Sequence, residues 1–448
     1  MNLKKIIFDK ISRLPSFILF PIMKMNNFPK IIFGKEFDIR YKALIKKEIT
    51  NESIDLKLIE IIKDAIENVP YYSKKYAEIT INTIDDFKKK IEFIDKDIVV
   101  KNFDNFISKR INFNEYELQT TGGTSGKPLK IYQPNNRYSK ELATVYYAWS
   151  TVGYNFDIRS VLRNHKIDKG KKFQINPITK EVQFNNFNIN DSYLTEIYNI
   201  IKKYEIKFFH AYPSAAYQFV NHCKKNKLDL SFLKAFLCSS ENILEIQREL
   251  IEKEFGIKLF GFYGHTEKLV FAFNCSKSDF YHIDKSYGFF ELINQKGEII
   301  NQQGEVGEIV GSTLTNKGMP LIRYKTGDFA EYYGEICPHC GAKTTVLKNI
   351  LGRWNGDKIF NKDGTFVTLT SLNLHNDIYT YIEGLQYYQS ANGSLEIRLI
   401  KSDKYKKSHE EQLLEQIRNK FNSDLDLTIK YVDKLVFHPN GKFLQLIK

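Results

Sequence analysis

Between Tyr193 and Phe262 the chain switches back and forth between two hydrophobic periodicities, and that alternation limits its fold more than any other feature. The spacing predicts helices over Tyr193 to Tyr204, Pro213 to Lys225 and Ile246 to Phe255. Between and after them it predicts strands over Lys207 to Ala211, Ala235 to Cys238 and Leu259 to Phe262. Strands separated by crossover-length helices argue for α/β layering around a largely parallel sheet. Such folds place ligand-contacting loops just after the strands, which singles out Tyr212-Pro213-Ser214 and Ser239-Ser240-Glu241. Upstream, residues 37 to 71 read as largely helical, closed by Pro70, and residues 139 to 152 as a helix before a short apolar stretch at Val161 and Leu162. Downstream, a strand around Leu395 to Ile400, a helix from His409 to Phe421 and a strand near Leu427 to Val432 read as a compact α+β module.

Between two further strand-like segments, Tyr116 to Gln119 and Leu129 to Tyr132, lies Thr120-Thr121-Gly122-Gly123-Thr124-Ser125-Gly126-Lys127-Pro128. Such a stretch is a poor core element and a good phosphate cradle. Glycines let backbone N–H groups approach an anion, and the hydroxyls and the ammonium add donors. Thr121, Gly123, Thr124, Ser125, Gly126 and Lys127 are therefore candidate polyphosphate ligands. The spacing is one residue too short for G-x-x-x-x-G-K-[ST], and Pro128 stands where that motif has Ser or Thr, which disfavours a Walker-type NTPase.

With 448 residues the chain has room for a large domain and a smaller one. A formal charge of +13 invites a nucleic-acid reading, but the lysines are scattered, and no basic run alternates with aromatics in a recognisable nucleic-acid module. Anionic small molecules account for the charge equally well. Five cysteines do not make a disulfide framework, so the expected home is a reducing cytoplasm. No signal-peptide pattern is present, and no apolar run reaches the roughly 18 residues needed to span a bilayer. Ser16 to Met23 is apolar but short, and reads as a core or docking segment. Its flanking lysines and aromatics keep peripheral membrane association open.

Cys337-Pro338-His339-Cys340 is one C-x-x-C, a weak signal alone, but Cys275 and His282 lie upstream. Cys275, His282, Cys337 and Cys340 together supply four soft or borderline ligands, enough for a closed tetrahedral Zn²⁺ spanning about residues 275 to 340. His339 is the rival to His282. Cys223 and Cys238 read as core thiols.

The hydroxyl- and glycine-rich loop resembles the phosphate loop of the adenylate-forming (acyl-CoA synthetase-like, ANL) superfamily. Ala65-Ile66-Glu67-Asn68-Val69-Pro70-Tyr71-Tyr72 resembles a passage peculiar to its phenylacetate-CoA ligase-like and capsular polysaccharide branch, as does Phe93-Ile94-Asp95-Lys96. Tyr263-Gly264-His265-Thr266-Glu267 resembles the superfamily's Y-G-x-T-E motif, and Arg323-Tyr324-Lys325-Thr326-Gly327-Asp328 its R-Y-x-T-G-D motif. Leu351-Gly352-Arg353 and Pro439-Asn440-Gly441-Lys442-Phe443 match the later ones in family order. The resemblance implies a large N-terminal adenylation domain over residues 1 to 352, and a small, mobile α+β domain over 353 to 448. It implies Tyr263 stacked on adenine, Thr266 on the α-phosphate, Glu267 on Mg²⁺, Asp328 on the ribose hydroxyls and Arg353 on the nucleotide. Ser240, Glu241 and Gly264 complete the ATP set, and Lys442 bridges carboxylate and α-phosphate. The zinc pattern also resembles a site in some phenylacetate-CoA ligase-like proteins. The implied reaction is ATP-dependent activation of a carboxylic acid as acyl-AMP. The acyl group then passes to the thiol of coenzyme A or a carrier, or to an amine, including one on a sugar nucleotide. Relatives carry an acidic residue soon after the Arg, whereas here Trp354-Asn355-Gly356-Asp357 follows, so the hinge falls on Asn355 or Asp357. A non-catalytic glycan-biosynthesis scaffold is the rival reading.

Overall fold

A computed structural model describes residues 16–25, 33–120, 129–165, 167, 170–187, 189–351, 358–372, 378, 381–421, 425–436 and 444–448. Its N-terminal helices follow capping signals. The helix Lys35–Ile45 is capped at Lys46, and Thr50 starts Asn51–Asn68: its hydroxyl accepts from the Ser53 N–H, and the Ser53 hydroxyl accepts from the Thr50 N–H, both at 3.2 Å. The segment 37 to 71 is largely helical as expected, with a break at residues 46 to 50. Pro70 does not close the run; it is the first residue of the next helix, Pro70–Tyr76, where its missing N–H costs nothing. Asp95 caps a short helix, Lys96–Lys101, through the Ile98 N–H at 2.8 Å.

The strands in chain order begin with the hairpin β1 (Tyr116–Thr120) and β2 (Lys130–Pro134). Then come β3 (Arg159–Leu162), β4 (Gln174–Asn176), β5 (Glu181–Gln183), β6 (Phe208–Ala211), β7 (Ala235–Ser239) and β8 (Lys258–Gly264). They are followed by β9 (Phe271–Asn274), β10 (Tyr281–Ile283), β11 (Gly288–Ile293), β12 (Val306–Thr313), β13 (Tyr324–Ile336) and β14 (Lys343–Leu351). β3 to β14 form one sheet in the order β11-β12-β13-β14-β10-β9-β8-β7-β6-β3-β5-β4. Strands β5, β3, β6, β7 and β8 are parallel neighbours, and from β8 onward through β9 every pairing is antiparallel.

The parallel half is covered on both faces, as parallel sheets require. Phe209, Phe236 and Leu259 face the helices Asp191–Lys203 and Pro213–Lys225, while Phe208, Leu237 and Phe260 face the helix Arg137–Ser150. The expected helix over Ile246 to Phe255 is a short α-helix, Glu245–Arg248, running on into a π-helical segment, Glu249–Glu254. The apolar segment near the N-terminus forms the helix Ser16–Met25, and Leu19, Phe20 and Met23 are buried with the first of these clusters. Those three side chains are spent on docking, while Ile18 is exposed. Among the described residues no helix is long and apolar enough to cross a membrane.

The C-terminal module adds a hairpin, β15 (Lys358–Phe360) and β16 (Phe366–Thr368), and a four-stranded sheet. Its strands β17 (Ile382–Tyr388), β18 (Ser394–Lys401), β19 (Asp426–Tyr431) and β20 (Leu446–Ile447) pack with the helix Lys407–Arg418 around a core of their own. The fold is therefore the expected mixed α/β arrangement with a separate small domain.

Candidate functional site

The loop from β8 to β9 stands where the sheet changes from parallel to antiparallel, and it carries most of the predicted chemistry. Tyr263 and Gly264 end β8, and Thr266 and Glu267 occupy the turn. His265 accepts the Val270 N–H at its Nε2 (3.2 Å), which puts its proton on Nδ1, and Nδ1 donates to Glu267 Oε2 at 2.9 Å. The Tyr324 hydroxyl donates to Glu267 Oε1 at 3.3 Å. Glu267 is thus a buried carboxylate held from two sides in one orientation. Its oxygens are hard donors of the kind Mg²⁺ takes, and a carboxylate's roughly four acceptor sites leave room for the cation to share them.

Asp328 approaches the same point from β13. Tyr263 donates its phenol to Asp328 Oδ2 at 2.8 Å, so the two residues expected on adenine and ribose touch each other. Burial first, and the neighbouring Asp328 carboxylate next, push the Tyr263 phenol well above its usual range. The β13 segment is pinned by Arg323, whose guanidinium pairs with buried Glu291 through Nε (3.1 Å) and Nη2 (2.8 Å). Its Nη1 donates to the carbonyls of Lys88 and Ile91. Ile94 bridges to Tyr324 through hydrogen bonds with Arg323 and Lys325, so the Phe93-Ile94-Asp95-Lys96 passage serves to hold the Asp328 strand.

In sheet order β13 lies four places from β8, about 19 Å in a flat sheet at ~4.8 Å per strand. The 2.8 Å Tyr263–Asp328 bond therefore requires the antiparallel half to curl back on itself. Two glycines permit the curl. A Cβ at Gly288 would stand 1.8 Å from the Leu269 carbonyl oxygen, and one at Gly311 would stand 2.6 Å from the Leu269 Cβ. The Glu267 loop thus rests main chain to main chain on β11 at Gly288, and its Leu269 and Val270 side chains lie directly on the β12 backbone at Gly311.

On the other side of β8, register places Ser239 opposite Phe262, so Ser240 and Glu241 emerge beside Tyr263. Glu241 Oε2 accepts the Ser214 N–H at 3.1 Å, which ties the two predicted post-strand loops together. Ser240 has φ +71°, a conformation that favours glycine. The stem of the phosphate hairpin reaches the site as well: Gln133 Nε2 donates to the Glu267 carbonyl at 3.0 Å. Thr121, Gly123, Thr124, Ser125, Gly126 and Lys127 at its tip lie outside the described residues, as do Arg353, Asn355, Asp357 and Lys442. The structure therefore brings together Ser240, Glu241, Tyr263, Gly264, Thr266, Glu267 and Asp328.

Cys275, His282, Cys337 and Cys340 gather away from that cleft, each ligand atom within 4.8 Å of the others. Cys275 follows β9, His282 lies in β10, and the two remaining thiols sit in the turn from β13 to β14, where Gly341 takes φ +74°. The Cys337–Cys275 sulfurs are 3.8 Å apart, and Cys340 Sγ lies 3.7 Å from His282 Nε2. Thiolates 2.3 Å from a tetrahedral Zn²⁺ stand about 3.8 Å apart, so the donor set fits the ion in both chemistry and spacing. Burial holds the His282 imidazole below its usual range, which keeps it neutral as a ligand must be. His339 is not part of the cluster; its ring meets the edge of Phe280 at 4.9 Å. Cys223 and Cys238 are buried core thiols, both pushed up by burial.

Sequence reasoning assigned no role to His265, Tyr324 or Gln133. The first two stood inside quoted motifs, while nothing marked Gln133. It also missed Arg163, which follows β3 and meets both His210 of β6 and Ser240 after β7.

Residues 359–448 match the family described as CapK C-terminal domain. Over 95% of this chain and 96% of its partner in the comparison, the protein is 23% identical to Protein CapK of Staphylococcus aureus. Among solved structures, it is similar to 2-hydroxyisobutyryl-CoA ligase in an open conformation in complex with 2-HIB-AMP and CoA. The TM-score is 0.54 at 14% identity, covering 89% of this chain and 91% of that one. The same ligase with both ligands in its thioesterification state gives a TM-score of 0.53 at 14% identity, with 89% of each chain covered.

Proposed function

We propose, taking as premise that the chain has the fold of the adenylate-forming ligases, that it activates a carboxylic acid with ATP and passes the acyl group to an acceptor. The observation that carries the reading is the meeting of Tyr263 and Glu267, from β8 and the turn after it, with Asp328 of β13, beside Ser240 and Glu241.

ATP is the substrate whose parts these residues fit. Asp328 has two acceptor oxygens for two adjacent ribose hydroxyls, which compete with the Tyr263 phenol for them. The Tyr263 ring offers a face for adenine. Mg²⁺, when bound, would screen the phosphate charge, and Glu267, steadied by His265 and Tyr324, would hold it. Thr266 lies at the same turn for the α-phosphate. The acid's carboxylate oxygen attacks the α-phosphorus, the bond to the bridging oxygen breaks, and pyrophosphate leaves with that electron pair. Lys442 is assigned to the charge that grows at phosphorus. Orientation and charge stabilisation carry the step.

The acceptor in the second half-reaction is a thiol, on coenzyme A or a carrier, or an amine. The CoA bound in the structurally similar ligase supports the thiol, and the likeness to CapK supports a place in surface-polysaccharide biosynthesis. The hinge is placed near residue 353, with the small domain rotating between half-reactions. The Cys275, His282, Cys337 and Cys340 cluster is assigned a structural Zn²⁺. Pyrophosphate release from ATP, measured across a panel of aryl, alkyl and sugar acids, tests the adenylation. The expected result is release with one acid class. Silence across the panel, with ATP still bound, would replace the enzyme with a scaffold that keeps only the fold.

A further inference from the structure

Arginines that pack within the large domain are neutralised by acids of the chain itself. Arg40 faces Asp284, Arg137 Glu117, Arg159 Glu181, Arg248 Glu252 and Arg323 Glu291. Arg163, four residues beyond Arg159 along the same segment, has no carboxylate partner among the described residues. Its Nη1 donates to His210 Nε2 at 2.7 Å and its Nη2 to Ser240 Oγ at 2.8 Å. Its Nε is shielded from solvent and has no partner among the described residues. A guanidinium has five N–H groups, so at least three are unspent on these two neighbours. A second orphan lies nearby: the Trp149 indole N–H is buried without a partner among the described residues, and its ring stands 5.0 Å from that of His210.

The guanidinium lies over the Tyr212 ring, 4.9 Å from its centroid, but no carboxylate among the described residues offsets its charge, an imbalance that a ligand of opposite charge would answer. His210 does not relieve it. Burial, then Arg163 and Arg159, hold that imidazole far below its usual range, so it accepts from Arg163 as a neutral base. Ser240 adds a further cost. It is a non-glycine residue at φ +71° whose hydroxyl is engaged by Arg163, and such strain is typical of functional sites.

The place of the cluster says which ligand. Leu162, Ala211, Cys238 and Gly261 form one row of the register across β3, β6, β7 and β8, and Arg163, Tyr212, Ser239 and Phe262 are the next residues along. Through Ser240 the guanidinium sits one strand from Tyr263, on the side of β8 away from Asp328. We propose that the acid this chain activates carries a second anionic group, and that Arg163, braced by Ser240 and linked through His210 to Trp149, receives it. This rests on the adenylation reading for where the reacting carboxylate lies.

Trp149 and Trp354 are the two tryptophans of the chain, so in a W354F protein the indole fluorescence reports Trp149 alone. With α,β-methylene-ATP present to prevent turnover, that protein is titrated with malonate through adipate and with monoacids of matched length. At least one diacid should give a saturable change at tenfold or more lower concentration than its monoacid. Arg163→Gln should weaken that diacid about 10- to 100-fold while leaving monoacid and nucleotide affinity within about twofold. Ser240→Gly, which relieves the backbone and so folds, should loosen the diacid several-fold. Equal binding of diacid and monoacid, no diacid bound, or an Arg163→Gln loss shared by both acids would overturn the proposal. A diacid that binds through Arg163 yet releases no pyrophosphate from ATP would instead count against the adenylation reading and leave the anion subsite standing.

Discussion

The two sides of strand β8 handle polar groups in opposite ways. On the antiparallel side the side chains satisfy one another: Tyr263 donates to Asp328, and His265 and Tyr324 both donate to Glu267. On the parallel side Arg163 and Trp149 keep buried donors unspent among the described residues. The first arrangement is rigid before any ligand arrives and exchanges internal bonds for ligand bonds. The second is completed only by what it binds. A site that does the same thing for every turnover can be built the first way, whereas the part that chooses among substrates has to leave something unanswered.

The strongest way to break that contrast is Glu267→Gln. It keeps the shape that His265 and Tyr324 hold but removes the charge, and pyrophosphate release should fall about 10²- to 10³-fold. Acid binding, read from Trp149 fluorescence, should stay within twofold. Equal losses in both would mean that the two sides are one coupled site.

The metal cluster tests whether the curled half needs an outside clamp. Removing zinc with a chelator, or Cys337→Ser, should lower the melting temperature by about 10 °C, with one zinc per chain measured before and none after. An unchanged melting temperature and no zinc by elemental analysis would remove the ion from the account.

The smallest effect expected is on the parallel side. His210 has its pKa lowered in the folded chain by burial and then by cationic neighbours, so below about pH 6.5 the unfolded chain binds a proton that the folded chain refuses. Its contribution to stability is therefore complete above pH 6.5 and declines as the pH falls. His210→Asn should reduce the drop in melting temperature between pH 7 and 5 by about 2 °C, on the order of 2 kcal/mol for a chain of 448 residues. An identical pH profile in the variant would show that the cluster is more open to water than its geometry indicates.

What could be read from the sequence follows the same division. Tyr263 to Glu267 was legible because its chemistry is packed into one turn, and the strands from Ala235 to Gly264 because buried parallel strands are continuously apolar. The Thr50 cap was written locally too, as a hydroxyl three residues before Ser53, but helical periodicity running across it concealed the break. His282 and His339 could not be separated by spacing; the packing of His339 on Phe280 decides between them. Arg163 had no local signature at all. Its partner Ser240 is 77 residues away, and only the register of β3, β6 and β7 brings them together.

The bare glycines under the Glu267 loop carry one more consequence. Where Gly288 meets Leu269, main chain lies against main chain, and a single added methyl would demand the space of a carbonyl oxygen 1.8 Å away. Ordinary repacking cannot absorb such an intrusion, since neither surface has a rotamer to change. The loop that carries the Glu267 carboxylate is thus set against a mechanical stop, and its dimensional accuracy comes from atoms that were left out.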